Sequence, residues 1–327
     1  MSKADAFFDE KIFNIGYYSF GMFNQRWVKM LQIRRFIANL VSLFIFDKRK
    51  SRNVKAIIKH GVLKTFKERR DFRKNSPNMV DFKYNLAIVA IMKNEGPYLR
   101  EWIEFHKLMG VEKFYLYDNE SNDDTQDILK PYIKSGLVDY TFFPGQKRQL
   151  PAYEDCISKH KKETKWLAVI DLDEFIVPVK DADIQSFLNR QSQKIAQFII
   201  PWVIFGSNGH NDKPDGLVIE NYTKRAKRSW LYKSIINPRM VMNMGCHEHN
   251  VAGSTQSLKM SDIRVHHYHC KSWAEYKLRA ARGDAWDGMD AGIKKYQREC
   301  FDKHDLNEVV DNTAARFAPQ ISKIIKQ

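Results

Sequence analysis

Beyond residue 83 the chain alternates short apolar runs with stretches of helical spacing. Residues 86–92 (LAIVAIM) form an unbroken apolar run of strand length, the pattern of a strand covered on both faces. Pro97 opens a segment in which Leu99, Trp102, Ile103, Phe105, His106 and Met109 recur at helical intervals, and Gly110 stops it. Strands are predicted again at 113–117, 137–143 and 166–170, with helices at 125–133 and 153–160 between them. Strand–helix alternation of this kind predicts an α/β domain with a mainly parallel sheet flanked by helices. The C-terminal third mixes short strands and loops with helices predicted over 273–282 and 311–325.

The first 83 residues follow another pattern. Over residues 27–46, Lys29, Gln32, Arg35, Asn39 and Ser42 share one face of a predicted helix. Trp27, Met30, Leu31, Ile33, Ile37, Val41 and Phe44 share the other, although Arg34 interrupts it. The uninterrupted apolar part, 36–46, falls short of the roughly 20 residues a membrane span needs. A basic run follows: Lys48, Arg49, Lys50, Arg52, Lys55, Lys59, Lys64, Lys67, Arg69, Arg70, Arg73 and Lys74. The expected organisation is a basic, amphipathic helical region at 1–83, then one α/β domain at 84–327, with Asn75-Ser76-Pro77-Asn78 near the junction.

Charge sharpens that division. Of 54 Lys/Arg and 39 Asp/Glu, residues 1–83 hold 19 and 7, so twelve of the fifteen surplus positive charges lie in the first quarter. An amphipathic helix beside a polybasic stretch points to an anionic membrane surface; packing on the protein's own core is the other reading. No nucleic-acid motif accompanies the charge, so no nucleic-acid partner is expected. At 43% hydrophobic and 28% charged, the chain can build a substantial core. Cys156, Cys246, Cys270 and Cys300 are far apart, and residues 1–11 show no signal-peptide pattern. A cytoplasmic location is expected, possible attachment being peripheral, on the inner face of the membrane.

The sharpest chemical signal is Asp171-Leu-Asp173-Glu174, at the end of the apolar run from Trp166. Asp171 and Asp173 point to the same side of an extended chain. Two like charges so placed require a cation or donors, and oxygen ligands suit Mn²⁺ or Mg²⁺. An exposed acidic turn is the alternative. The preceding strands also end in polar clusters, Lys93-Asn94-Glu95 and Asp118 to Asp124. Asp123 is expected to cap the next helix. Ligands of parallel sheets gather at such strand ends.

Taken together, IMKNE, YLREWIEFHKLMGVEKFYLYDNESNDDT, KWLAVIDLDEF, PWVIFGSNGH, KSIINP and HYHCKS resemble glycosyltransferase family 92 and related family-2-like transferases over roughly residues 86–283. The resemblance implies a GT-A-like fold, a nucleotide-sugar donor (a UDP-sugar first), and a metal held by the D-x-D. It also implies a hexosyl- or N-acetylhexosaminyltransferase, inverting, with a glycan or lipid-linked acceptor of the surface-polysaccharide type. By position Asn94, Glu95 and Asp118 would contact the nucleotide, with Gln149 nearby. Asp171 and Asp173 would be the metal pair, joined by His247 or His267; His249, His266 and His269 leave that choice open. Lys233 or Arg239 would neutralise the leaving phosphate. His210, Asp212 and Glu174 are the possible bases, His210 preferred. Trp202 would offer a sugar platform or simply fill the core. A sugar nucleotidyltransferase and a non-catalytic nucleotide- or glycan-binding protein of the same fold are the alternative functions.

Overall fold

The computed structural model describes residues 30, 32–34, 36–40, 54–55, 57–75, 82–192, 194–229, 231–282 and 297–326. The chain divides into two compact units, Met1–Thr65 and Phe66–Gln327. In the first unit residues 30, 32–34 and 36–40 are helical. The rest of the expected amphipathic helix, including Trp27, Lys29, Leu31, Arg35, Val41, Ser42 and Phe44, lies outside the described residues, as do Lys48, Arg49, Lys50 and Arg52. A helix Val62–Asn75 carries much of the remaining basic run.

In the second unit the expected alternation is present. Strand β1 (Tyr84–Met92) leads to α1 (Gly96–Leu108), β2 (Lys113–Asp118) to α2 (Thr125–Lys134), and β3 (Val138–Phe142) to α3 (Gln149–His160). β4 (Thr164–Val169) and β5 (Glu174–Pro178) flank the acidic turn. Then come α4 (Ile184–Asn189), β6 (Ile195–Ile204), β7 (Leu231–Ile236), β8 (Ser254–Ser257), β9 (Ile263–His267), α5 (Trp273–Arg282), α6 (Arg298–His304) and α7 (Ala318–Ile325).

The nine strands form one sheet in the order β3-β2-β1-β4-β7-β6-β9-β5, with β8 beside β6. β3, β2, β1 and β4 are all parallel. β7 then runs antiparallel between β4 and β6, β9 runs parallel to β6, and β5 is antiparallel at the edge. The sheet is therefore mixed: a parallel half, then an alternating half. This is a GT-A-like arrangement.

Alternate side chains of β1 explain its all-apolar sequence. Leu86, Ile88, Ala90 and Met92 pack with Leu99, Trp102, Ile103 and Phe105 of α1. Ala87, Val89 and Ile91 face the other way, into a cluster with Ala152, Tyr153 and Cys156 of α3. Gly110 ends α1 with φ +86, a backbone a side chain resists, and an added Cβ would lie 2.8 Å from Gln185. The helix predicted over 311–325 begins later: Val309–Val310 pairs with Lys224–Arg225, and regular α-helix starts only at Ala318. Asp311 is there bound to two arginines, which holds the segment before the helix in an extended course.

Candidate functional site

The strand directions gather the chemistry on one edge. The carboxyl ends of β1, β2, β3, β4, β6 and β9 meet there with the amino ends of the antiparallel β5 and β7. Apart from glycines, left-handed backbone among the described residues falls in the loops of this edge. Among the described residues the non-glycine positions with positive φ are Asn94, Glu120, Lys147, Asn208 and Lys271. Each lies in the loop that follows a strand's carboxyl end, and local strain of this kind concentrates at functional sites.

Asp171 sits in the turn between β4 and β5. Its Oδ2 accepts from the Lys233 ammonium at 2.7 Å, and its Oδ1 accepts from Gln149 Nε2 at 3.2 Å and Tyr153 Oη at 3.3 Å. Gln149 and Tyr153, four apart on α3, present one face to it. Lys233 Nζ also lies 3.3 Å from Glu174 Oε2, which accepts from the Asp171 N–H at 2.9 Å. Glu174 is completely buried, and its Oε1 has no hydrogen-bond partner among the described residues. Complete burial pushes that carboxyl up, and the adjacent Lys233 ammonium pulls it back toward the charged form. Burial disfavours the Lys233 ammonium, but Asp171 and Glu174 outweigh it and hold the charge. Lys233 is thus an internal counter-ion between two carboxylates. Glu174 thereby ties its carboxylate to the Asp171 backbone from a fully buried position.

Asp173 faces a different set. His267 Nε2 lies 3.1 Å from its Oδ2, which also accepts from Arg279. Burial raises the Asp173 carboxyl, but Arg279 and then His267 hold it well below the ordinary carboxylate range. The His267 ring stacks on Trp202 at 4.1 Å, and its Nδ1 is buried without a hydrogen bond among the described residues. Burial lowers His267 and His269, so both rings are neutral near pH 7. Ligand atoms of Asp173, His267 and His269 lie within 4.8 Å of one another, as do those of Asp171, Asp173 and Glu174. An anionic carboxylate beside two neutral imidazoles is a donor set that fits a divalent ion, Mn²⁺ more readily than Mg²⁺. His247 lies nearby: its Nδ1 is 3.1 Å from the Tyr232 carbonyl oxygen and its ring 5.8 Å from that of Trp202.

A third group surrounds the start of α1. The Lys271 ammonium lies 3.2 Å from the Tyr98 ring centroid, and Lys213 lies 4.9 Å from the same centroid. Tyr98 donates to Glu275, as do Tyr222 at 2.7 Å and the Ser272 hydroxyl at 2.6 Å. Half-buried His210, in the loop after β6, packs edge-on against Tyr222 at 5.7 Å. Burial lowers the Lys271 amine to about 8, opposed first by Glu95.

The remaining expected residues shape the loops. Asn94 Oδ1 accepts from the Asn122 N–H at 2.8 Å, tying the loops after β1 and β2 together. Buried Asp118 accepts from the Ser121 N–H at 2.8 Å and the Tyr140 hydroxyl at 2.7 Å. Asp123 accepts from the N–H groups of Thr125 at 3.1 Å and Gly96 at 3.0 Å, bridging two helix starts. Glu95 is buried at the head of α1. Arg239 does not reach this edge: it donates to the carbonyls of Lys161 and Lys162, ahead of β4, beside the Phe82 ring. Sequence reasoning missed Tyr153, Lys271 and Arg279. A Gln-x-x-x-Tyr face on a helix before the acidic strand was the available signal for Tyr153, and a cation in the loop after a strand for Lys271; Arg279, within α5, carried no local signal.

The mixed sheet flanked by helices, with its polar clusters at one edge, is of the GT-A-like class. Residues 89–312 match glycosyltransferase family 92, and the chain belongs to that family. A glycosyltransferase family 92 protein of Oryza sativa subsp. japonica is 26% identical over 202 residues, 59% of this chain and 35% of that one. Galactan beta-1,4-galactosyltransferase GALS3 of Arabidopsis thaliana is 29% identical over 52% of this chain and 38% of its own. The first relatives are thus matched over little more than a third of their length. Among solved structures, S. aureus TarS 1-349 in complex with UDP aligns at 11% identity and TM-score 0.40, over 67% of this chain and 71% of that one.

Proposed function

We propose that this chain is a metal-dependent glycosyltransferase that moves a hexose from a UDP-sugar to a hydroxyl of a glycan or lipid-linked acceptor, with inversion. Relatives named as beta-1,4-galactosyltransferases support galactose as the sugar. The observation that carries the reading is Asp173 set beside His267 and His269, next to a firmly held Asp171, in a chain of this family.

Asp173, His267 and His269 would hold Mn²⁺ or Mg²⁺, with Trp202 fixing the His267 ring. When bound, the ion supplies positive charge against the donor's diphosphate. Asp171 keeps acceptor capacity for a ribose hydroxyl on its half-exposed side, while Lys233 and Glu174 set its orientation. Asn94 and Asp118 hold the loops that would enclose the base. His210 is the base that takes the acceptor's proton. The basic N-terminal region holds the protein at an anionic membrane surface.

The test is donor hydrolysis by the purified protein across UDP-, GDP- and CMP-sugars with Mn²⁺ or Mg²⁺. One nucleotide should be released, and a chelator should stop its release. Asp173→Asn should lower turnover about a hundredfold or more, and His267→Ala should weaken Mn²⁺ binding measured directly by calorimetry. Metal-independent release, or an Asp173→Asn variant as active as the parent, overturns the proposal.

A further inference from the structure

We propose that Lys271 is the protein's own cation for the donor's diphosphate, donating to a β-phosphate oxygen as that group leaves. The inference rests on the proposed glycosyl transfer and adds to it a residue to which neither the resemblance nor the D-x-D assigns a role.

Lys271 occupies the HYHCKS segment just beyond β9, with a left-handed backbone at φ +48. A lysine gains nothing intrinsically from that conformation, so its surroundings must impose it. The side chain is only 6% exposed, and its ammonium rests over the Tyr98 ring. Among the described residues no hydrogen bond reaches its three N–H groups. A π face offsets part of the desolvation of an ammonium but satisfies none of those donors directionally.

The neighbouring carboxylates do not fill the gap. Glu275 is engaged by Tyr98, Tyr222 and both the N–H and hydroxyl of Ser272. Asp173 is engaged by His267 and Arg279. Glu95 and Asp173 lie close enough to favour the charge, which places Lys271 between the start of α1 and the proposed metal ligands. That is where a diphosphate held by those ligands would run. The other cations considered from sequence are committed: Lys233 is shut between Asp171 and Glu174, and Arg239 binds carbonyls ahead of β4.

In the step itself, the bond between the anomeric carbon and the β-phosphate oxygen breaks and its electron pair stays on that oxygen. The acceptor hydroxyl oxygen forms the new bond to the anomeric carbon, and its proton passes to the base. The nucleoside diphosphate departs with one more negative charge than it carried as an ester, and the Lys271 ammonium faces that charge. An interaction that strengthens as charge develops lowers the barrier as well as the dissociation constant.

The experiment compares UDP with UMP, and GDP with GMP, by calorimetry on the full chain with Mn²⁺, for the parent, Lys271→Met and Lys271→Arg. The monophosphate lacks the β-phosphate, so the ratio of the two affinities isolates the contact. Lys271→Met should weaken the diphosphate roughly tenfold or more and leave the monophosphate unchanged; Lys271→Arg should keep most of the difference. Melting supplies a second reading. A structural lysine is destabilising to lose, whereas removing a buried ammonium without hydrogen bonds should leave the melting temperature level or raise it. Equal loss of both ligands, an unchanged affinity ratio, or a lower melting temperature with that ratio intact overturns the inference and leaves the transferase reading standing. A parent protein that binds none of the four nucleotides overturns the transferase reading and this inference with it.

Discussion

Lys233, Asp171 and Glu174 form a small closed cell in which charge balance depends on one ammonium. Lys233 is almost wholly buried and lies 2.7 Å from Asp171 and 3.3 Å from Glu174. Removing one partner of a buried ionic group leaves an uncompensated charge and typically costs about 3–5 kcal/mol. Lys233→Met should therefore lower unfolding stability by that order in urea. Adding Glu174→Gln should recover part of the loss, because the amide oxygen can still accept from the Asp171 N–H while the charge is gone. A double variant whose loss equals the sum of the two single losses would refute this coupling. Asp171 and Asp173 were legible at this scale because carboxylates closing an apolar strand are conspicuous. Their counter-groups were not. Lys233 lies 62 positions and Arg279 106 positions away from the aspartate each one serves, and nothing in local spacing announces such pairs. Glu174 shows a further limit: its complete burial at the start of the edge strand β5 could not be read from its neighbours in sequence.

At the scale of elements, the parallel half of the sheet was readable because β1, β2 and β3 are each followed by a helix, and β1 and β4 carry conspicuous apolar runs. β1, α1, β2 and α2 fall where the periodicity predicts them. The alternating half was not. β7 inserts between β4 and β6, and short strands interleaved by long-range pairing leave only weak two-residue periodicity. The C-terminal segment illustrates why. Residues 311–325 carry a helical pattern, yet Asp311 is held by Arg225 at 2.6 Å and Arg264 at 2.6 Å, with Thr313 beside it. Burial raises Asp311, but His266, Thr313 and the arginines outweigh it and hold the carboxyl below its ordinary 3.8. A carboxyl depressed in the folded state adds stability that is full above its unfolded pKa and lost as pH falls from there toward the folded value. Asp311→Asn should thus cost about 3–5 kcal/mol at pH 7, and the gap to the parent should narrow as pH drops below about 4. Urea unfolding of both proteins at pH 7 and pH 3 measures this. A gap that stays constant between them would remove the carboxylate from the account and leave only packing.

For the whole molecule the open question is what the basic N-terminal region does for an edge site built elsewhere in the chain. No described helix is long and apolar enough to cross a membrane. Helix Val62–Asn75 nevertheless shows an unusual surface: Leu63 is 86% and Phe66 62% exposed, amid Lys64, Lys67, Arg69 and Arg70. Apolar side chains standing out of a basic helix suit the boundary of an anionic bilayer, where each cation contributes about 1 kcal/mol near the surface and the apolar groups bury into it. The full chain should therefore sediment with vesicles containing phosphatidylserine and not with phosphatidylcholine alone, and salt should weaken the binding. Lys64→Glu with Lys67→Glu should reduce that binding by about tenfold or more. Leu63→Ser with Phe66→Ser should reduce it with less dependence on salt. Neither pair should change donor hydrolysis in free solution, because both lie apart in sequence from every residue assigned to the edge site. Binding that ignores lipid charge would exclude the electrostatic part of this surface. Loss of hydrolysis in either pair would instead make the N-terminal region part of the transferase itself, with the basic face serving the fold and not a membrane.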